Sequence, residues 1–319
     1  MKIIRYGLDE MPYDKATAIT VGTFDGVHMG HSGILRLMRT VADEHHERVV
    51  VVTFDPHPQI VLAKEGREPL RLLTSSDERC ELLAENGVDA TIIIPFTHEF
   101  AATEASDFIT SIIVHEIGVQ HFFIGHDHMF GKDRGGNEEL LQRLAPENGF
   151  SVEPIPPLAF DGMVVSSTKI RQALKRGDVD DARRMLGRPY SVRGFVVRGD
   201  GRGRQLGIPT ANVRPIDEHK LMPVNGVYVV IAEIGGTPQL GMANIGVRPT
   251  FTQDTQPTLE VHFLDVEADL YDQQLDVAFI AKIRDERRFD SREEFLAQLH
   301  NDRIQTTTYQ HHLREWRTP

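Results

Sequence analysis

The sequence has a single cysteine, Cys80, in 319 residues, so no disulfide can form within the chain. That suits a reducing cytosol. No apolar run approaches the roughly 18 residues of a membrane-spanning helix. The opening Met1-Lys2-Ile3-Ile4-Arg5 leads into no secretory apolar core. The expectation is a cytoplasmic protein with no membrane partner. Positive charge is also scarce. Lys and Arg number 35 against 47 Asp and Glu, a net charge of −12. Sequence-independent nucleic-acid binding needs a basic face and is therefore not expected, although a local basic pocket for phosphates is compatible with this balance. Internal repeats and low-complexity tracts are absent. What is there is an ordinary globular composition, 40% hydrophobic and 26% charged, in a length that suits about two domains.

The chain is organised around Gly22-Thr23-Phe24-Asp25-Gly26-Val27-His28-Met29-Gly30-His31. The apolar run Ala18 to Val21 leads into it. The helical pattern Ile34, Leu35, Leu37, Met38 and Val41 leads out. Strand, Gly-rich turn and helix start together make an anion site. Gly26 and Gly30 let a phosphate approach the backbone. His28 and His31, three residues apart, can address the same polyanion. From residue 16 to about 150, short apolar runs (Val49 to Phe54, Thr91 to Ile94, His121 to Ile124) alternate with helical patterns (Thr74 to Glu85, Ser106 to His115, Asn137 to Leu144). Ser75 and Glu78 have capping-box spacing. The alternation predicts an α/β fold with a doubly wound parallel sheet. Ligands of such sheets bind beyond the strand carboxyl ends. Three loops follow such ends: the Gly-rich motif, Phe54-Asp55-Pro56-His57-Pro58, and Gly125 to Gly136.

Val164 to Arg171, Val-Val-Ser-Ser-Thr-Lys-Ile-Arg, is a second chemical stretch. Ser166 or Ser167 is placed to cap a helix. Arg171 lies one turn beyond Ser167, where it can clamp phosphate. A short helix, Asp178 to Leu186, ends at Gly187-Arg188-Pro189, and the expected domain boundary lies there, giving 1–186 and 187–319. Beyond it the period changes. Five strand-like runs between Tyr190 and Ile283, separated by Gly, Pro and Asp clusters, predict an antiparallel β-barrel. A closing helical element from Ser291 to Trp316 carries Phe295, Leu296, Leu299, Tyr309, Leu313 and Trp316 as an apolar face, expected to serve packing alone.

The barrel half has its own Gly-rich loop, Gly199 to Gly207, followed by Ile208-Pro209-Thr210-Ala211-Asn212. It lacks the Gly-Lys-Ser/Thr ending of a P-loop. Thr210 and Asn212 alternate along an extended segment and offer hard oxygen ligands suited to Mg²⁺ beside ATP.

These motifs resemble known ones in family order. Gly22 to His31 resembles the HxGH signature of adenylyltransferases in the form found in bacterial FAD synthetases, and Ser166 to Arg171 resembles their SSTxIR motif. The Gly-Ile-Pro-Thr-Ala-Asn string, Asn244 to Phe251 and Leu259 to His262 resemble riboflavin kinase. The chain therefore looks like a bifunctional riboflavin kinase/FAD synthetase. The resemblance implies phosphorylation of riboflavin to FMN by ATP, then adenylylation of FMN to FAD with release of pyrophosphate. It implies Glu260 as the base for the ribityl hydroxyl. His28, His31 and Arg171 would stabilise the adenylyl transfer. ATP would be held there by Gly22, Phe24, Asp25, Gly26, Gly30, Ser166, Ser167 and Thr168, with flavin near Phe54, Pro56, Pro58, Asp127 and Phe130. In the kinase, ATP would lie against Gly201, Gly203, Arg204, Gly207, Thr210 and Asn212, with Mg²⁺ on Thr210 and Asn212 and flavin against Arg284. One segment departs from the pattern: Gly125-His126-Asp127-His128-Met129-Phe130-Gly131 has His128 where the family usually has an aromatic residue. Two other readings stay open from sequence. The amino half could be a non-catalytic nucleotide-binding module on an active kinase, or an adenylyltransferase for another phosphate ester.

Overall fold

A computed structural model describes residues 1–319 apart from 65, 67, 126–128, 157–158, 161, 200–207, 248–256, 267 and 317–319. The chain divides into two compact units, Met1–Ser166 and Ser167–Pro319.

The first unit is a six-stranded parallel sheet in the order β1-β4-β3-β2-β5-β6. Its strands are β1 (Lys2–Arg5), β2 (Thr17–Val21), β3 (Arg48–Asp55), β4 (Ala90–Pro95), β5 (His121–Gly125) and β6 (Ser151–Ile155). The central strands are apolar on both faces because both faces are covered. Ile19, Val21, Val50 and Val52 share one core with Ile109, Ile112 and Ile113. Ala18, Val49 and Val51 point the other way, to Leu35, Met38 and Ala42 of helix α1 (Met29–His45) and to Leu82 and Leu83 of a second helix, Ser76–Glu85. The capping box expected at Ser75 and Glu78 is present in full. The segment expected as an ordinary helix, Ser106 to His115, is instead π-wound over Phe108–Ile117. Its buried positions, Phe108/Ile109, Ile112/Ile113 and Ile117, recur every four to five residues, which keeps them on one face under that wider winding. The edge strands β1 and β6 carried no signal in the sequence. Each has one buried residue, and β6 contains Pro154, which an edge strand tolerates.

The second unit is a closed antiparallel barrel, β10-β13-β12-β11-β14-β9. The barrel strands, continuing the chain numbering after a two-stranded ribbon (β7, Ala159–Phe160; β8, Met163–Val164), are β9 (Tyr190–Val197), β10 (Ala211–Pro215), β11 (Gly226–Ile234), β12 (Thr237–Val247), β13 (Pro257–Phe263) and β14 (Gln274–Arg284). Two helices, Ser167–Arg176 and Val179–Leu186, belong to this unit. The compact units thus divide about twenty residues before the expected boundary at Gly187. The reason is apolar: Val179, Ala182, Met185 and Leu186 are all buried, and their helix packs on β9 and β14. The closing element is two helices, Arg292–Thr307 and His311–Glu315. Tyr309, Leu313 and Trp316 pack on Val229, Ile231, Met242 and Ile280 of the barrel, as the apolar pattern implied.

Candidate active sites in the two units

In the first unit, β2 lies at the point where the sheet order reverses, between β3 on one side and β5 on the other. Its carboxyl end opens into the Gly-rich motif, the position where doubly wound sheets bind ligands. The loop is held in an uncommon conformation. Phe24 and Val27 have φ of 48° and 34°, a left-handed backbone that is costly for residues with a Cβ. Asp25 fixes it from below. Its buried carboxylate accepts from the N–H groups of Leu73 and Thr74 and from the Thr74 hydroxyl, and the N–H of Gly26 donates to Thr74 Oγ1. Asp25 therefore shapes the loop through its own fold contacts. Arg79, fully buried, donates to the carbonyls of Thr23 and Phe54 and joins the ends of β2 and β3. Neither Thr74 nor Arg79 was singled out from the sequence. The signal for Arg79 was its register with the apolar stripe of Leu82 and Leu83.

His28 is the N-cap of α1, and its Nδ1 accepts from the N–H of His31 at 3.3 Å. Asn, Asp, Ser and Thr are the usual caps. An imidazole whose Nδ1 accepts carries its neutral-form proton on Nε2. The rings of His28 and His31 stack with centroids 3.7 Å apart and planes at 12°. Gly30 makes room: a Cβ there would sit 3.1 Å from the His28 ring. Phe24 leans on His31 at 4.8 Å.

Of the expected flavin contacts, Phe54 is the next-to-last residue of β3 and is buried against Phe96 and Phe100. A chain of rings continues through Phe108 to Phe130. Phe130 is itself a core residue whose backbone pairs with Gly136, so its ring anchors the loop after β5. Pro56 follows a cis peptide bond from Asp55, and Pro58 opens a short helix, Pro58–Val61, capped by His57. The half-buried Phe96 and Phe100 were not foreseen. Asp127, with His126 and His128, lies outside the described residues. Ser166 is the last residue of the first unit. Ser167, Thr168 and Arg171 start the helix that opens the second.

In the second unit, Glu260 pairs with Asn212 on one neighbouring strand and with Asn244 on the other. Directly opposed residues share a sheet face, so the three side chains form a row across β10, β13 and β12. Their neighbours Ala211, Val213, Leu259, Val261, Ala243 and Ile245 are buried, which puts the row on the outer face of the barrel. Two cavities adjoin it. One of about 140 Å³ is lined by Gly199, Thr210, Asn212, Leu270 and Tyr271. The other, about 320 Å³, is lined by Thr210, Asn244, Glu260, Arg284, Phe289, Phe295 and Leu299. Thr210 belongs to both. The Asn212 amide fills the space that a Cβ on Gly199 would take.

Arg284 lines the larger cavity with its donors already engaged. Its Nε and terminal nitrogen hold Asp302, whose side chain is 0% exposed, at 2.8–3.2 Å, and another nitrogen donates to the Asp285 carbonyl. Gln298 completes Asp302 at 2.7 Å. This ion pair ties β14 to the helix Arg292–Thr307. That helix was expected to serve packing only, but Phe295 and Leu299 also form a cavity wall. Gly201, Gly203, Arg204 and Gly207 lie outside the described residues.

The FAD synthetase family model matches residues 10–169, and the riboflavin kinase family model matches residues 186–310. Described as bifunctional riboflavin kinase/FMN adenylyltransferases are a Pseudomonas fluorescens protein, 40% identical over 92% of this chain and 93% of its own, and one of Escherichia coli K12, 39% identical over 95% and 96%. The chain belongs to the bifunctional riboflavin kinase/FMN adenylyltransferase family. A Bacillus subtilis member is 33% identical over 94% of each chain. A solved Streptococcus pneumoniae structure, described as a macrolide-efflux protein, shares the fold with a TM-score of 0.86 and 31% identity, covering 99% of this chain and all of that one. Among the described residues of this family member, no helix is long and apolar enough to cross a membrane.

Proposed function

We propose that this chain makes FAD from riboflavin in two ATP-dependent steps, one in each half, in a cytoplasmic setting. The functional halves divide near residues 186 and 187, so Ser166 and the helix starting at Ser167 serve adenylyl transfer through Ser166, Ser167, Thr168 and Arg171, although that helix belongs to the second compact unit. The observation that carries the kinase reading is the position of Thr210 between two cavities, with Asn212 on one side and Glu260 on the other. ATP phosphates belong in the smaller cavity and flavin in the larger. The Thr210 hydroxyl and Asn212 amide oxygen are hard donors of the kind Mg²⁺ takes alongside phosphate oxygens. Bound there, the ion would neutralise phosphate charge. Glu260 accepts the proton of the ribityl hydroxyl as its oxygen attacks the γ-phosphorus, and ADP leaves. Arg284 acts through Asp302, by fixing the wall that Phe295 and Leu299 present to the flavin.

In the adenylyl transfer, a phosphate oxygen of FMN attacks the α-phosphorus of ATP and pyrophosphate leaves. His28 directs its Nε2 proton at the transferring phosphate, and the stacked His31 reinforces it, where charge grows. The start of α1 adds backbone N–H groups without partners inside the helix. Gly22, Phe24, Gly26 and Gly30 let the nucleotide approach, and Asp25 holds their loop. Phe54, Pro56 and Pro58, with the half-buried Phe96 and Phe100, offer the flavin an apolar platform. Incubation with riboflavin, ATP and Mg²⁺ and chromatographic separation of the products tests the whole scheme. FMN and FAD together are expected. FMN alone would make the amino half a non-catalytic module, and neither product would remove the assignment.

A further inference from the structure

At the opposite end of the sheet from the Gly-rich motif, three side chains with metal-ligand chemistry converge. His45 is the last residue of α1, Glu47 immediately precedes β3, and His121 starts β5. The register places Arg48 opposite Thr17 and His121 opposite Ala18, so Glu47 and His121 flank the start of β2. The Gly-rich motif follows the other end of that strand. A ligand atom from each of the three lies within 4.8 Å of the others.

The Glu47 side chain is only 2% exposed, and His121 Nδ1 lies 2.7 Å and 2.9 Å from its two carboxylate oxygens. Among the described residues this imidazole is the one hydrogen-bond partner of that carboxylate. A buried carboxylate with so little around it calls for a positive charge. The His45 ring, exposed, stands 4.7 Å from the His121 ring. His45 also sits at the carboxyl end of a 17-residue helix, where the backbone favours a cation.

We propose that His45, Glu47 and His121 form a binding site for Zn²⁺, separate from the two sites that use ATP. Two imidazoles and one carboxylate suit zinc, and they leave a fourth position for water. Mg²⁺ prefers an all-oxygen shell and is a poor occupant. With bonds of about 2.0–2.2 Å, ligand atoms around a tetrahedral zinc are about 3.4 Å apart. The Glu47–His121 contact opens slightly to reach that spacing, and the exposed His45 turns in. Zinc then takes the place of the proton shared by the Glu47–His121 pair, which is released to solvent. The ion joins segments 74 residues apart in the chain and stiffens the start of the strand that ends in the Gly-rich motif.

The test uses full-length protein stripped with a chelator. It is titrated with ZnCl₂ against a chromophoric competitor in excess Mg²⁺, and separately with Co²⁺, whose visible spectrum reports tetrahedral nitrogen and oxygen ligation. One zinc per chain, a tetrahedral Co²⁺ spectrum and a rise in Tm with Zn²⁺ are expected. His45→Ala, an exposed substitution that leaves the buried pair intact, is expected to weaken zinc by at least about 10-fold, the low end of what disturbing a metal's surroundings costs. Glu47→Gln is expected to weaken it further, with both flavin reactions in Mg²⁺ unchanged in the His45→Ala protein. Absence of stoichiometric zinc, or binding undiminished in His45→Ala, overturns the site.

Discussion

The two units handle ATP with opposite materials. In the amino unit, the candidate site residues sit on a loop and a helix start at the open end of a parallel sheet. Asp25, Thr74 and Arg79 hold the loop from beneath. In the carboxyl unit, Asn212, Glu260 and Asn244 project from three hydrogen-bonded strands of a closed barrel. The first arrangement offers mainly backbone and imidazole to an anion, the role proposed for it above. The second is a row of polar side chains, the proposed base and metal ligand among them, whose spacing is set by the strand ladder. A loop site depends on its underlying clamp, whereas a strand site depends on the identity of each side chain.

The largest expected effect separates the two chemically. Glu260→Gln preserves shape but removes the carboxylate proposed as the base, so kcat for riboflavin phosphorylation is expected to fall by about 10²–10⁴-fold. FAD formation from supplied FMN should hold. Equal losses in both assays would show that the sites are not independent. Next, Asp302→Ala leaves Arg284 without its buried partner, and breaking such a pair costs about 3–5 kcal/mol. Urea unfolding of the barrel unit should show that loss, with a higher KM for riboflavin. A mutant with unchanged stability would return Arg284 to direct contact with substrate. His28→Ala is expected to lower FAD formation from FMN by about 10²-fold, the scale for losing one transition-state donor, while FMN production continues. His31→Ala should behave likewise. The smallest effect concerns the boundary. A fragment starting at Ser167 keeps the buried face of Val179, Ala182, Met185 and Leu186 and is expected to melt above one starting at residue 187. Both should phosphorylate riboflavin, and equal melting temperatures would show that those helices add nothing to the barrel.

The fold was legible in the sequence where burial is two-sided or strictly alternating. Val49 to Phe54 and the barrel strands have such patterns, whereas β1 and β6 lie at edges and have little apolar content to display. The π-winding of Phe108–Ile117 was hidden because a helical pattern of isoleucines does not fix the turn on its own. Among candidate site residues, the histidines, Thr210, Asn212 and Glu260 could be picked out by motif, but their partners could not. Nothing local pairs Arg284 with Asp302, since a loop and a helix start intervene. Nor does spacing show that Asp25 would be absorbed by Leu73 and Thr74, which meet it only after the sheet has formed. Phe295 and Leu299 read as packing because a cavity wall and a core contact have the same apolar composition.

Cys80 lies in the helix Ser76–Glu85, beside Arg79, and is 1% exposed. Burial pushes its thiol above the usual range. As the sole sulfhydryl in the sequence, it is a built-in stopwatch for one half of the molecule. An alkylating reagent can reach it only when the amino unit opens. Labelling of the native protein should be slow at pH 8 and should accelerate when Thr74 or Arg79 is replaced. It should be indifferent to Asp302→Ala, which loosens only the barrel. A single thiol count over time thus reports, without any engineered label, whether the amino half has come undone, and is blind to the barrel.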